Sequence, residues 1–156
     1  MRNYETVLVL DEALGQDEID ALVSELTELV AKHGATETTA VPWGRKRLAY
    51  LIKKCRHAHF VVFQFTCPAS CPAELERLVR IDKRVLRFQT YTASGEVDPE
   101  AIHYKNYEKL AGYITDRGKI RPLRTTRCDA AGQRNLATQI KRARNLGLLP
   151  FSTVSS

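Results

Sequence analysis

The residues best suited to do chemistry lie near the end of the chain. Arg134, Lys141 and Arg142 fall with Asn145 on one side of a helical wheel. Leu136, Ile140, Ala143 and Gly147 fall on the other, at the i, i+4, i+7, i+11 spacing of a buried stripe. A helix that buries one face and holds cations out on the other suits a polyanion. Arg144 adds a further cation to the run. Just before it, Lys119, Arg121, Arg124 and Arg127 alternate with Pro122 and threonines, without periodicity. That reads as an extended basic segment whose backbone can track a groove or junction. Arginine dominates, which suits forked contacts to phosphate oxygens.

Other constellations are weaker. Asp11–Glu12 and Asp17–Glu18–Asp20 are paired acids, but they lie at a helix start, where the dipole accounts for them. No glycine-rich phosphate loop, nucleophile elbow or triad order occurs, so the chain reads as a non-enzyme. His57, His59, Cys67 and Cys71 raise the question of zinc, yet the cysteines are spaced CxxxC with no second pair. No metal and no cofactor are expected. Phe60–Val61–Val62–Phe63 matches the tail of the aromatic signature of single-strand RNA-recognition sheets, but Ala58 and His59 break it. Phe63 and Phe65 are read as core.

Charge is unevenly spread over the 156 residues. Residues 1–95 carry 13 Lys/Arg against 12 Asp/Glu, whereas residues 96–156 carry 11 against 6. Between Arg117 and Arg144 there are nine cations and one acid, Asp129. The first part is thus an ordinary globular surface and the second a polyanion surface. Hydrophobic residues at 44% suffice for a packed core, and four cysteines are too few for a disulfide scaffold. No run is apolar enough to span a membrane, and no signal peptide is read. The expectation is a cytoplasmic protein with no membrane partner, or one in mature form from an organelle matrix.

These cations need elements to hold them. Tyr4 to Leu10 reads as a buried strand. Asp17 to His33 reads as a helix with Ile19, Leu22, Val23, Leu26, Leu29 and Val30 as its stripe, ended by Gly34. Thr36 to Val41 reads as a strand, continued by Leu48 to Ile52 beyond a kink at Pro42–Trp43–Gly44. His57 to Phe65 is a third strand, Pro72 to Ile81 a second helix, and Val85 to Tyr91 a fourth strand. The order β-α-β-β-α-β is the ferredoxin-like motif. Ser94–Gly95 and Asp98–Pro99 mark a linker over 93–101. Tyr104 to Thr115 reads as a short helix with Tyr107, Leu110, Ala111 and Ile114 inward. Asp129 can cap the last helix. The class is α+β: a ferredoxin-like domain over 1–92, then a small helical domain with an extended basic segment over 102–156.

Two family resemblances follow. Residues 1–92 resemble bacterial small-subunit ribosomal protein six, through Met1–Arg2, Tyr4–Glu5 and Trp43–Gly44–Arg45–Lys46–Arg47–Leu48–Ala49–Tyr50. Ala58–His59–Phe60–Val61, Glu74–Leu75–Glu76 and Val85–Leu86–Arg87 support the match. Residues 102–151 resemble the core of bacterial small-subunit ribosomal protein eighteen. The carriers are Ile102–His103–Tyr104–Lys105, Tyr113–Ile114, Gly118–Lys119–Ile120, Gln133–Arg134, Leu136–Ala137, Ile140–Lys141–Arg142–Ala143–Arg144 and Leu148–Leu149–Pro150–Phe151.

The resemblance implies a structural ribosomal protein. The two families are separate proteins that pair and bind the central domain of small-subunit ribosomal RNA, beside neighbouring ribosomal proteins. Here they are joined in one chain, as a covalent equivalent of the heterodimer. A regulatory protein acting on messenger RNA and an engineered single-chain pair are the alternatives. The basic run above supplies the expected RNA contacts, with Arg45, Lys46 and Arg47 and the pair Arg2 and Tyr4 as further candidates. The second half has little core of its own. Tyr107, Leu110, Ile114, Leu136, Leu148, Leu149 and Phe151 are therefore expected to form an interface with the first half, within one chain or by exchange between two. Departures from the second family lie at Thr126–Arg127–Cys128, where it reads Thr-Gly-Thr after its basic segment, and at Ala131 and Thr138, where it carries cations. Arg127 is placed to replace one lost contact.

Overall fold

The computed structural model describes residues 1–93, 97–98 and 100–151. The linker marks Ser94, Gly95 and Pro99 lie outside the described residues. The chain divides into two compact units. One holds Met1–Arg47 and Ile52–Ser94; the other holds Leu48–Leu51 and Gly95–Ser156.

In the first unit the strands are β1 (Arg2–Asp11), β2 (Glu37–Ile52), β3 (Cys55–Cys67) and β4 (Val85–Thr92). They form an antiparallel sheet in the order β2-β3-β1-β4. Helices α1 (Gln16–Lys32) and α2 (Cys71–Ile81) follow β1 and β3. β1 is central because Thr6 to Leu10 are uniformly uncharged and mostly branched, and Glu5 to Leu10 are all buried. Alternation assigns the faces. Leu8, Leu10, Val61, Phe63, Phe65 and Cys67 share a buried cluster with Ile19, Leu22, Leu26 and Val30 of α1 and Cys71, Leu75 and Val79 of α2. Their strand neighbours Val7, Val9, Phe60 and Val62 are buried as well.

α1 ends as its sequence requires. Gly34 has φ 95°, its N–H donates to Ala31, and the Ala35 N–H reaches back to Val30 at 2.9 Å. This is a Schellman close, in which glycine takes the left-handed position. β2 is a single strand rather than two, with its pairing to β3 shifted between Pro42 and Gly44 and again between Arg47 and Ile52. The expected kink is the first of these bulges. The second leaves Leu48–Leu51 out of the β3 ladder, which is how a piece of β2 comes to belong to the second unit.

That unit is built from short pieces. The expected helix from Tyr104 to Thr115 is broken into a 3-10 turn at Tyr104–Asn106, α3 (Tyr107–Leu110) and another 3-10 turn at Ala111–Tyr113. An antiparallel bridge then joins Ile114 to Ile120 around Gly118, whose φ is 83°. The basic segment is not wholly extended, since α4 (Leu123–Thr126) forms inside it after Pro122. α5 (Ala130–Asn145) is the longest element. Tyr104, Leu110, Ile114, Leu136, Ile140, Ala143, Leu146, Leu148 and Leu149 are buried. Gly147 is not part of the helical stripe but sits just beyond it. With φ 80° it donates to Arg144, while Leu148 donates to Ala143 at 2.9 Å, a second Schellman close.

Candidate nucleic-acid interface

Helix α5 is fixed at both ends before any cation is considered. The Asp129 carboxylate accepts from the Gly132 N–H at 2.6 Å and satisfies a first-turn donor. A Cβ on Gly132 would lie 2.8 Å from that same oxygen, so a side chain there would shift the Asp129 carboxylate. At the buried face, the Gln139 side chain accepts from the Tyr104 N–H at 3.0 Å and donates to Asn135 at 3.2 Å. Asn135 in turn donates to the Ile102 carbonyl at 3.2 Å. Tyr104 is wholly buried, so an unmet N–H there would be costly.

The basic segment is tied to this helix by Gln133. Its amide donates to the Arg121 carbonyl at 3.0 Å and its oxygen accepts from the Thr126 hydroxyl at 2.7 Å. Arg121 also donates its backbone N–H to Tyr113 at 2.8 Å. The segment is thus held as a pre-ordered strap beside the start of α5. Along it Lys119, Arg124 and Arg127 are exposed and Arg121 is half-buried. Arg127 sits in the left-handed region at φ 59°, closing α4. On α5, Arg134 and Lys141 are exposed and Arg142 half-buried. Thr138, between the two exposed cations, is itself exposed, and its hydroxyl donates back to the Arg134 carbonyl at 3.0 Å. Ala131 is also exposed.

Arg144 departs from the expected cationic surface. Its guanidinium donates to the Pro150 carbonyl at 3.2 Å and to the Gly118 carbonyl. Burial pushes its pKa below the ordinary arginine value. It is a clip for two chain reversals. The geometric reason is its position on the flank of the buried stripe, one residue after Ala143.

Tyr50 joins the same corner. Its hydroxyl donates to the Arg144 carbonyl, its ring lies 5.6 Å from that of Phe151, and the neighbouring Ala49 N–H donates to Gly147 at 2.8 Å. Nothing local in Leu48–Leu51 announces these bonds, since their partners lie near the other end of the chain. Of the residues expected at an interface, Leu110, Ile114, Leu136, Leu148 and Leu149 are buried, Tyr107 is half-buried and Phe151 is exposed.

In the first unit the candidates are of mixed character. Arg2 and Arg47 are exposed and Lys46 half-buried. Arg45 lies 3.7 Å from Glu12, which also stands 3.7 Å from His57. An exposed pair of this kind contributes little and leaves Arg45 available. Tyr4 is half-buried. It packs on the helix-side core with its ring 5.8 Å from Phe65, because even-numbered residues of β1 face the helices. Phe63 and Phe65 are core residues, 0% and 2% exposed. Cys67 and Cys71 are buried in the same cluster. Burial and the hydrogen bond with Cys71 push the Cys67 thiol up to about 12, so at neutral pH it packs as a neutral thiol.

Comparison with known proteins finds two family matches along the chain. The family model described as ribosomal protein S6 matches residues 3–92, and that described as ribosomal protein S18 matches residues 98–149. Among similar proteins is small ribosomal subunit protein bS6 of Campylobacter jejuni subsp. jejuni, 34% identical over 124 residues, covering 79% of this chain and 95% of that one. The bS6 of Syntrophobacter fumaroxidans is 40% identical over 101 residues, covering 64% and 68%. That of Desulfatibacillum aliphaticivorans is 36% identical over 102 residues; the match takes in 65% of this chain and 55% of the relative. The crystal structure of 30S ribosomal protein S6 from Thermotoga maritima shares the fold, with a TM-score of 0.53 at 21% identity, covering 71% of this chain and 97% of that one. Both families are structural and non-enzymatic, and their partners are small-subunit ribosomal RNA and ribosomal proteins. The chain belongs to the ribosomal protein S6 family, with a ribosomal protein S18 region following in the same polypeptide.

Proposed function

We propose that the chain binds the central domain of small-subunit ribosomal RNA, as a covalently joined equivalent of an S6–S18 pair. The observation that carries this reading is the strap of Lys119, Arg121, Arg124 and Arg127, tied by Gln133 to the helix that presents Arg134, Lys141 and Arg142. Seven cations on ordered backbone lose less entropy on meeting phosphates than seven on a loose tail. Base edges of A-form RNA are hidden in a narrow groove, so such a surface reads backbone and junction shape. The joined state is supported by Leu48–Leu51. These residues lie inside the S6-matched range, yet they are part of the compact unit that holds the S18-matched range. Covalent joining sets an effective concentration of roughly millimolar for a short flexible linker.

The test is binding of the full chain to a junction RNA from the central domain, across a salt series. Replacing Arg134→Ala with Arg142→Ala should weaken binding about tenfold or more and flatten the log–log salt slope by about one to two. Unchanged affinity and slope would refute the reading.

A further inference from the structure

A pocket of about 230 Å³ lies in the first unit, and none of its lining residues is among those discussed as RNA contacts. Its lining is Lys53 from the β2–β3 turn, Val79 and Arg80 at the end of α2, and Val85, Leu86, Arg87 and Phe88 at the start of β4. Val79, Val85 and Leu86 are buried, so the floor is apolar. Lys53 and Arg80 bring two cations to it, and no acid lines it. Arg87 pairs with Val9 where Phe88 pairs with Leu8, so its side chain leaves the other face of the sheet. The Arg80 guanidinium stands 5.8 Å from the Phe88 ring centroid. Asp82, the acid nearest in sequence, is engaged by Arg84 at 2.7 Å.

The turn that carries Lys53 is a second, independent observation. Lys53 and Lys54 have φ of 47° and 70°, positive at both central positions between the paired residues Ile52 and Cys55. That is the type I′ pattern, for which Asn-Gly is the favoured pair and lysine is strained. Folding alone does not ask for lysines here. No acid occurs in the sequence between Glu37 and Glu74, while Asp11 and Glu12 stand near Cys55 at the foot of the turn.

We propose that this pocket takes one unpaired nucleotide of a bound RNA, with the base on the apolar floor beside Phe88 and the phosphate on Lys53 and Arg80. The inference rests on the RNA-binding reading above and extends it to the first unit. The volume is below the roughly 300 Å³ at which pockets begin to enclose drug-sized ligands, which fits one base. Bases in a duplex are stacked and their edges hidden, so the occupant must be single-stranded or extruded. Stacking on an aromatic face tolerates any base, which predicts little sequence preference.

The test uses the full chain with three probes: an oligoadenylate of five nucleotides, its abasic ribose-phosphate counterpart, and the junction RNA. The oligoadenylate should bind at least about fivefold more tightly than the abasic strand, the gain expected of one stacked base. Lys53→Asn with Lys54→Gly should weaken oligoadenylate binding about fivefold or more while raising Tm by about 2–4 °C, since the turn is relieved as its charge is lost. A merely structural role cannot move the two readouts in opposite directions. Arg80→Gln should weaken the same probe at unchanged Tm. Equal binding of the abasic strand, or full oligoadenylate binding by the turn variant, overturns the proposal. If only Arg134→Ala with Arg142→Ala weakens the junction RNA and the pocket variants leave all three probes unaffected, the pocket fails and the RNA-binding reading stands. If the helix variant leaves junction binding intact, the RNA-binding reading itself fails.

Discussion

The two compact units solve the problem of order in different ways. In the first, Leu8, Leu10, Phe63 and Phe65 meet Leu22, Leu26, Leu75 and Val79 in one apolar cluster, and ion pairs such as Arg77–Glu74 and Arg84–Glu25 lie at the periphery. In the second, short pieces are tied to one helix by side chains that bond backbone: Gln139 to Tyr104, Gln133 to Arg121, Asn135 to Ile102, and Arg144 to Gly118 and Pro150. A sheet with two helices can bury continuous faces. A unit assembled from turns has many backbone groups outside ladders, so polar side chains must complete them. Specificity of arrangement in the second unit therefore resides in polar groups that also keep the cationic strap in place.

Three substitutions can break or sharpen this contrast in equilibrium urea unfolding of the full chain. The largest effect belongs to the apolar cluster: Phe63→Ala should cost about 3–5 kcal/mol, by lost transfer energy plus the cavity left behind. A loss under 1 kcal/mol would mean the cluster is not the organiser of the first unit. Next is Arg144→Ala, expected to cost about 2–3 kcal/mol because two carbonyls lose a charged donor. Arg144→Lys should not restore stability, since one ammonium cannot reproduce the guanidinium fork. Full rescue by lysine would show that charge, not geometry, matters there.

The smallest effect is a peripheral one. The Arg84 guanidinium, bonded to Asp82 at 2.7 Å, holds the Asp82 carboxyl below its ordinary value. A carboxyl lowered in the folded state stabilises fully above its unfolded value, near 3.9, and ceases to do so as pH falls through the folded one. Between pH 5 and pH 2 the parent should thus lose about 1 kcal/mol that Asp82→Asn does not lose. Parallel pH profiles for the two proteins would remove the pair from the stability of the first unit.

Much of the first unit was legible in the sequence. Alternation along β3 and the 3.6-residue stripe of α1 are local signals, and Gly34 marks its helix end just where the left-handed residue falls. Gly147 plays the same part for α5, yet its spacing from Ala143 makes it look like one more member of the stripe. The broken helix after Tyr104 was not legible, because Tyr107, Leu110 and Ile114 keep helical spacing while the backbone bonds go elsewhere. At the candidate interface the exposed cations were readable from composition, but Arg144 was not distinguishable from them. Only its distant carbonyl partners make it structural. The placement of Tyr4 was not legible for a related reason: position at a strand start says nothing about which face of the sheet a ring takes. The Lys53–Lys54 turn contradicts the ordinary residue preferences for its shape, so no local rule could have found it.

The bonds made by Leu48–Leu51 also bear on the order in which the protein is made. Tyr50 and Arg144 are separated by 94 positions along the chain. A ribosome synthesising from the N-terminus supplies the sheet and both of its helices well before α5. The first unit can therefore close while translation continues, whereas Leu48–Leu51 must wait, exposed at the end of its hairpin, for the last residues to arrive. Completion of the second unit is a high-contact-order event, set by the slow closure of a long loop rather than by local propensity.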